Sequence, residues 1–171
     1  VMQRVHDPEW SHAISFLIEI ADSGPFVERL LLAPADGTKE SLFRVADWLA
    51  RAGGTEQWHR IVMVRLAQVL LNSETPSALR ERAAAALVAT RDEGVGFLLR
   101  QALTSPNAAV RQVAAAALGA LAPRIPGLPV DQRSLDALVK MLDDPSEGVQ
   151  AAAINALGSA GLLRRAYVEA W

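Results

Sequence analysis

The chain contains no cysteine among its 171 residues. Disulfide bonds, thiolate metal sites and cysteine nucleophiles are therefore excluded within this sequence. Aromatic residues are also scarce, at 5%, and alanine and leucine supply most of the apolar side chains. Because alanine and leucine favour helices over strands, the composition predicts an all-helical protein.

The sequence also lacks a strong charge imbalance and a long apolar run. Its formal net charge is −2 and its pI is about 5.9, so the composition does not indicate nucleic acid or an anionic membrane as a partner. The longest apolar candidate, residues 61–71, is interrupted by Arg65 and Gln68 and is too short to span a membrane. We therefore expect no nucleic-acid partner, no membrane segment and a cytoplasmic location. The sequence ends in a helix-like pattern, and we expect it to be a piece of a longer protein.

Pairs of a polar residue and proline precede several helix-like segments. They are Asp7-Pro8, Thr75-Pro76, Ser105-Pro106 and Asp144-Pro145. A polar side chain can accept a hydrogen bond from a first-turn amide, and proline lacks an amide that would be unpaired there. We predict that each pair begins a helix, with Glu147 completing a capping box with Asp144.

The segments after the last three pairs align with one another. Residues 79–87 match residues 110–118, which in turn match residues 149–157. The first two copies lie 31 residues apart and the next two 39, because a proline-rich loop at residues 123–130 lengthens one repeat. Internal repetition at this spacing predicts a helical solenoid in which a helix A is followed by a helix B. The first two B helices are expected within residues 93–105 and 131–144.

These patterns predict an all-α fold, a right-handed α-solenoid of about five helical hairpins. Residues 1–74 are expected to form less regular hairpins and residues 75–171 the regular repeats, the last of them truncated. In helix A, Leu118 should be buried, Gln112 exposed, and the small residues at 115, 116 and 119 packed against neighbouring repeats. In helix B, Val139 belongs to the expected buried stripe. The expected aromatic core comprises Trp10, Phe16, Phe26, Phe43, Trp48 and Trp58.

The repeated pattern, best seen at residues 105–119, resembles the HEAT repeat of the short bacterial type. Three agreeing copies carry the resemblance, which covers about residues 75–161. HEAT repeats often have an aspartate before helix A and an arginine within it, which form a polar ladder between repeats. Here the acidic position holds Glu74, Ser105 and Asp144, and the basic position holds Arg80, Arg111 and Gln150. The ladder is incomplete, and we expect little stability from it.

A second resemblance lies near the N-terminal end. Residues 5–33 are similar to the helical segment that follows the nucleotide-binding module in bacterial NACHT-type signal-transduction ATPases. The matching residues are His6, Asp7, Trp10, Ile14 and Leu17. The resemblance implies an ATPase upstream of Val1, with the present residues as its sensor or regulatory part. No glycine-rich phosphate loop with Lys-Ser/Thr occurs in this sequence, so we expect no nucleotide binding of that kind.

No recognised catalytic or metal-binding motif is present. The three histidines, His6, His12 and His59, are too few and too scattered for a metal site. None of the serines lies in the G-x-S-x-G context of a nucleophile elbow. We therefore expect no catalytic residue, no metal and no cofactor.

The polar positions of the B helices form the candidate partner-binding surface. In HEAT arrays the B helices usually line the concave side, which offers an extended surface to a partner. The positive residues here fit either an ordinary solvated helix face or a groove for an acidic peptide or protein segment. The row comprises Arg60, Arg65, Arg100, Gln101, Arg133, Asp136 and Lys140.

Three classes of function remain compatible with the sequence. The first is a non-catalytic scaffold for protein–protein interaction, as the sensor or regulatory part of a larger signalling ATPase. The second is a HEAT-type enzyme, either a bilin lyase or a DNA glycosylase, and the third is a free-standing adaptor. A glycosylase needs a basic concave face and aromatics that hold DNA, but none of the four tryptophans lies in a repeat B helix. We predict the scaffold, with a protein or peptide partner and with the C-terminal helix at residues 162–171 available for self-association.

Overall fold

The computed structural model describes residues 13–14, 16, 24–31, 39–52, 58–121 and 131–159. Within these ranges every regular element is a helix, so the all-helical prediction is confirmed. The helices are α1 (Gly24–Leu31), α2 (Glu40–Ala52), α3 (His59–Leu71), α4 (Ser77–Thr90), α5 (Gly94–Ala102), α6 (Ala108–Leu121), α7 (Gln132–Lys140) and α8 (Glu147–Ser159). A 3₁₀ turn, Met141–Asp143, extends α7.

The helices form two rows that continue from unit to unit. The A helices α2, α4, α6 and α8 each pack against the next in the row, and the B helices are α3, α5 and α7. Helix α3 packs on α4, α5 on α6 and α7 on α8. Because each unit contacts its neighbours in sequence, the predicted α-solenoid is confirmed.

The pairing of helices differs from the prediction in one respect. Each B helix packs chiefly against the A helix that follows it, whereas the sequence paired each A helix with the B helix after it. At two of these B-to-A turns an arginine side chain links the end of one helix to the start of the next. Arg80 of α4 donates hydrogen bonds to carbonyl oxygens in the turn after α3, and Arg111 of α6 does so in the turn after α5.

The core follows two of the positions that stay constant in the repeat. These positions are at most 3% exposed, so a residue there contributes its apolar surface to the core in every unit. They are Ala83, Ala114 and Ala153, and Leu87, Leu118 and Leu157. The predicted burial of Leu118 and exposure of Gln112 are confirmed.

Three side chains predicted to be buried are exposed instead. Ala116 is exposed because it faces an open groove, whereas its neighbours Ala115 and Gly119 are buried as predicted. Val139 is 41% exposed because the buried positions of α7 are Leu135 and Leu138, which leaves Val139 at the edge of the stripe. Phe16 is 61% exposed, although it was expected in the aromatic core.

The other described aromatics of the expected core agree better with the prediction. Trp58 is 1% exposed, and Phe43 and Trp48 are also buried. Phe26 is partly buried, with its ring centroid 6.2 Å from that of Trp48. The N-terminal units therefore have an aromatic core, in contrast to the small side chains that pack between α4, α6 and α8.

The predicted helix starts are displaced by one or two residues from their prolines. Helix α4 begins after Pro76 with no side-chain cap, and α6 begins after Asn107, whose Oδ1 accepts from the Ala109 amide at 2.9 Å. Ser105 and Asp144 instead accept hydrogen bonds from amides two residues on, within the preceding turns. The capping box is therefore wrong, because Glu147 is the first residue of α8.

Several predictions fall outside the described residues. They concern Trp10 and the other residues before position 13, the loop at residues 123–130, and residues 162–171 with their self-association. The division of the chain at residue 74 is likewise untested. All of these stay predictions.

Glycine at position 119 allows α6 and α8 to approach each other closely. A Cβ atom on Gly119 would lie 2.6 Å from both Cα and Cβ of Ala156. Replacing Gly119 with alanine should therefore force the helices apart and lower the free energy of unfolding by about 1–3 kcal/mol, as overpacking does. Thermal denaturation followed by circular dichroism measures this loss.

The matched control is Gly96→Ala in α5. A Cβ there meets only the end of the flexible Arg100 side chain, at 3.4 Å. Alanine should stabilise this helix by up to about 1 kcal/mol through its higher helix propensity. A Gly119→Ala chain as stable as the wild type would show that α6 and α8 are less closely packed than described.

Candidate functional site

An open groove of about 680 Å³ crosses the A helices. Helices α4, α6 and α8 all contribute to its lining, and most of the lining residues are alanine or other small or apolar residues. Glu81 is the one charged side chain among the described residues that line it. Polar lining is supplied chiefly by Gln112, Asn155 and Ser159, so the groove presents an apolar floor with uncharged hydrogen-bonding groups.

Short side chains create this groove. Ala85, Ala116 and Ala151 are exposed on their helices and line the space between them. Where a longer residue would fill the space over the helix backbone, alanine leaves it open to another molecule. A signal for this surface exists in the sequence. The repeat position held by Glu81, Gln112 and Ala151 varies between copies, while the buried positions of Ala83 and Leu87 do not.

A second depression, of about 450 Å³, lies between α2 and α4 and shares Ala85 with the first. Its lining includes Arg82 of α4 and Glu40 of α2, which form a bidentate pair with distances of 2.5 and 2.9 Å. The Arg82 guanidinium also lies over the Phe43 ring, 4.2 Å from its centroid. The hydrogen bond with Glu40 raises the pKa of Arg82, against the opposing effect of desolvation. The apolar groove therefore adjoins a region of paired charge.

The predicted row on the B helices lies elsewhere, and none of its seven residues lines this groove. Two of its arginines form hydrogen bonds within the chain. Arg65 donates to the Leu31 carbonyl at 2.6 Å, and Arg100 donates to Asp131 and to Ser134 Oγ, the latter at 2.9 Å. The remaining members are exposed: Arg60, Gln101, Arg133, Asp136 and Lys140. The role of the row in binding stays a prediction.

Acidic groups reduce the positive charge of this row. Asp131 lies beside Arg100, and burial acts to raise the pKa of its carboxyl group. Hydrogen bonds from Ser134 and the Arg133 amide, with the charge of the nearby arginines, outweigh this effect and lower the pKa. Asp131 is therefore ionised at neutral pH and offsets part of the charge that an acidic partner would meet.

The polar ladder between repeats consists of pairs, or rungs, in which an arginine of one unit binds an acid of the next. One rung is complete. Arg111 Nε and Nη2 donate to the two carboxylate oxygens of Asp144 at 2.7 and 2.8 Å, joining α6 to the turn before α8. The Arg111 side chain is 13% exposed and that of Asp144 is 4% exposed. Arg111 Nη1 also binds the carbonyl oxygens of Ser105 and Pro106. The expectation of little stability from the ladder does not take this burial into account. A desolvated bidentate pair is costly to break, so this pair stabilises the junction.

The preceding rung lacks its acid. Arg80 is 3% exposed, and its Nη2 donates to the carbonyl oxygens of Asn72, Ser73 and Thr75 at 2.8–3.2 Å. Its Nε is buried without a hydrogen-bond partner. Ser105 occupies the repeat position that Asp144 holds in the next unit. The incomplete ladder predicted from the sequence is therefore seen at this junction.

The carboxyl group of Asp144 should make stability depend on pH in the acid range. The hydrogen bond with Arg111 lowers its pKa from the ordinary value of 3.8, although desolvation opposes the shift. A lowered pKa in the folded state stabilises the fold above the ordinary value, and this contribution is lost as the pH falls through the folded-state pKa. We expect the stability difference between the wild type and Asp144→Asn to stay constant from about pH 7 to 5 and to shrink below about pH 4. Urea unfolding at a series of pH values measures it, and an unchanged difference at pH 3 would contradict the pairing.

The residues singled out for chemistry do not assemble a reactive centre in the part of the chain described. His59 Nε2 lies 3.1 Å from Asp92 Oδ2, a contact between α3 and the turn before α5. Among the described residues no group of three or more histidine, cysteine, aspartate or glutamate side chains is placed to hold a metal ion. Trp48 and Trp58 are buried and do not present a ring for stacking on a nucleic-acid base.

Comparison with known proteins accords with the repeats seen in the structure. The family described as HEAT repeats matches residues 63–158, more than half of the chain. No curated protein matches the chain. No helix in the described ranges has both the length and the apolar character needed to cross a membrane. Since the matched residues contain the stacked helices α4, α6 and α8 almost entirely, the chain belongs to the HEAT-repeat family.

Proposed function

We propose that this chain is a non-catalytic scaffold that binds an apolar segment of a partner protein in the groove on the A helices. HEAT repeats generally mediate protein–protein interaction, which supports this class of function. The observation that carries the proposal is the 680 Å³ groove with an alanine-rich lining across three successive units. A groove of this kind accepts large side chains from a partner helix or strand, because its own side chains are short.

The chemistry of the groove restricts the partner. With Glu81 as its charged lining residue, the groove suits a segment with an apolar face and few charges. Gln112 and Asn155 each offer a donor and an acceptor, which can fix the segment by hydrogen bonds. A strongly acidic segment fits the exposed B-helix residues Arg60, Arg133 and Lys140 better, and the predicted row is the alternative surface.

A peptide selection distinguishes the two surfaces. Peptides are first selected from a random library for binding to the wild-type chain. Fluorescence anisotropy then measures their affinity for the wild type and for two variants, Ala116→Arg in the groove and Lys140→Glu in the B row. Both substitutions change exposed helical positions. We expect Ala116→Arg to weaken binding at least about tenfold, or about 1.4 kcal/mol, and Lys140→Glu to leave it nearly unchanged. The reverse pattern would assign binding to the B row and overturn the groove proposal.

We also propose that this scaffold is the sensor or regulatory part of a larger cytoplasmic signalling ATPase of the NACHT type. The resemblance of residues 5–33 to such proteins supports it, and Ile14 among the matching residues is 1% exposed, as a core position should be. The test is the full-length gene upstream of Val1, which should encode a nucleotide-binding module with a phosphate loop. An upstream sequence without one would contradict this part of the proposal and would leave the groove proposal unaffected.

A further inference from the structure

We infer that the solenoid flexes at the junction between α4 and α6, and that this flexing sets the width of the groove. The junction between α6 and α8 stays fixed. The consequence for partner binding rests on the proposed function, whereas the flexing itself does not. Two independent features distinguish the junctions.

The first feature is the ladder. At the junction between α6 and α8 the Arg111 guanidinium forms its bidentate pair with Asp144, and Gln150 donates to the Asp144 carbonyl at 2.7 Å. At the junction between α4 and α6 the equivalent guanidinium, that of Arg80, binds only carbonyls of its own B-to-A turn, and its buried Nε has no partner. Ser105, which replaces the aspartate, is too short and lacks the charge to bridge the units. This junction therefore has no ionic link across it at the rung.

The second feature is helix packing. Gly119 lets α8 approach α6 until Ala156 occupies the space that a side chain on residue 119 would need. Val88 stands at the same repeat position in α4, and its side chain lines the groove. In agreement, α6 and α8 pack against each other more extensively than α4 and α6. The valine keeps the two helices from approaching as closely as α6 and α8 do.

The junction between α4 and α6, which we call the loose junction, lies within the groove; the junction between α6 and α8 is the tight junction. Helix α4 supplies one side of it through Glu81, Ala85 and Val88, while α6 and α8 supply the rest. If α6 and α8 move as one body, rotation at the junction with α4 widens or narrows the groove without breaking the tight rung. A partner segment that contacts both sides would then select one width and fix it.

Distances between spin labels test the inference without a partner. The chain has no cysteine, so two introduced cysteines carry the only labels. Gln68, Gln101 and Lys140 are exposed positions on α3, α5 and α7, which pack on α4, α6 and α8 respectively. The pair at 68 and 101 reports on the loose junction, and the pair at 101 and 140 reports on the tight one.

Electron–electron double resonance should give a broader distance distribution for the pair at 68 and 101 than for the pair at 101 and 140. Adding Ser105→Asp, which supplies the missing acid, should narrow the first distribution and leave the second unchanged. Asp144→Ser, which removes the acid from the tight rung, should broaden the second. Equal widths in the unmodified background, or a first distribution that Ser105→Asp does not narrow, would overturn the inference.

Peptide binding separates this inference from the proposed function. Peptides that depend on Ala116 should change in affinity when Ser105→Asp fixes the width of the groove. If no selected peptide depends on Ala116, the groove proposal fails, while the label distances still decide whether the junction flexes. If such peptides exist and bind the Ser105→Asp chain with unaltered affinity, the link between flexing and binding fails.

Discussion

Replacing Arg111 with methionine should lower the free energy of unfolding by about 3 kcal/mol, because it leaves the Asp144 carboxylate buried without its charge partner. The Asp144 side chain is 4% exposed, so water cannot replace the two lost hydrogen bonds without a rearrangement. The carbonyl oxygens of Ser105 and Pro106 lose a donor as well. Urea denaturation followed by circular dichroism gives the change.

The pair between Arg82 and Glu40 provides the matched control. It is also bidentate and also links successive units, here α4 to α2, but its side chains are 46% and 43% exposed. Arg82→Met should cost under about 1 kcal/mol, since water solvates the remaining carboxylate. If both substitutions destabilise the chain equally, burial is not what gives the Arg111 pair its importance.

Replacing Leu118 with alanine should cost about 2–5 kcal/mol, the largest effect expected from a single truncation in the repeats. Leu118 is 3% exposed and lies on α6, which packs against α4, α5 and α8. The loss has two parts, the transfer energy of the removed atoms and the cavity that remains where neighbouring helices do not collapse. A fall in the urea midpoint with little change in slope is the expected measurement.

Gln112→Ala is the control on the same helix. Gln112 is exposed, and its replacement should change the free energy of unfolding by under about 0.5 kcal/mol. Equal midpoints for the Leu118 and Gln112 variants would show that the buried face of α6 is wrongly assigned.

The repeated segments made the fold predictable. Leu87, Leu118 and Leu157 recur at one repeat position and are buried in all three copies, because each unit meets its neighbours in the same way. Helix starts were less predictable, since Ser105 and Asp144 can accept a hydrogen bond from the turn before the helix as readily as from the helix itself. Local capping patterns do not distinguish these two arrangements.

The groove was not predicted, for a physical reason. Alanine is common both in tightly packed cores and on exposed helix faces, so Ala115 and Ala116 look alike in sequence although one is buried and the other lines the groove. The distinction depends on which neighbouring helix lies opposite each residue. The variable position of Glu81, Gln112 and Ala151 is the signal for the groove in the sequence, but the charged residues of the B helices indicate a different surface.

If successive A helices stack in one register, Arg80 faces Ser105 as Arg111 faces Asp144. Ser105→Asp tests this directly when its effect is measured in two backgrounds, the wild type and Arg80→Gln, where glutamine is the residue that the third repeat has at this position. When Arg80 is present, we expect the aspartate to raise the free energy of unfolding by about 1–2 kcal/mol through a new charge-assisted hydrogen bond. In the Arg80→Gln chain the increase in the free energy of unfolding should be much smaller. A destabilising Ser105→Asp, or the same effect in both backgrounds, would contradict the shared register of the repeats.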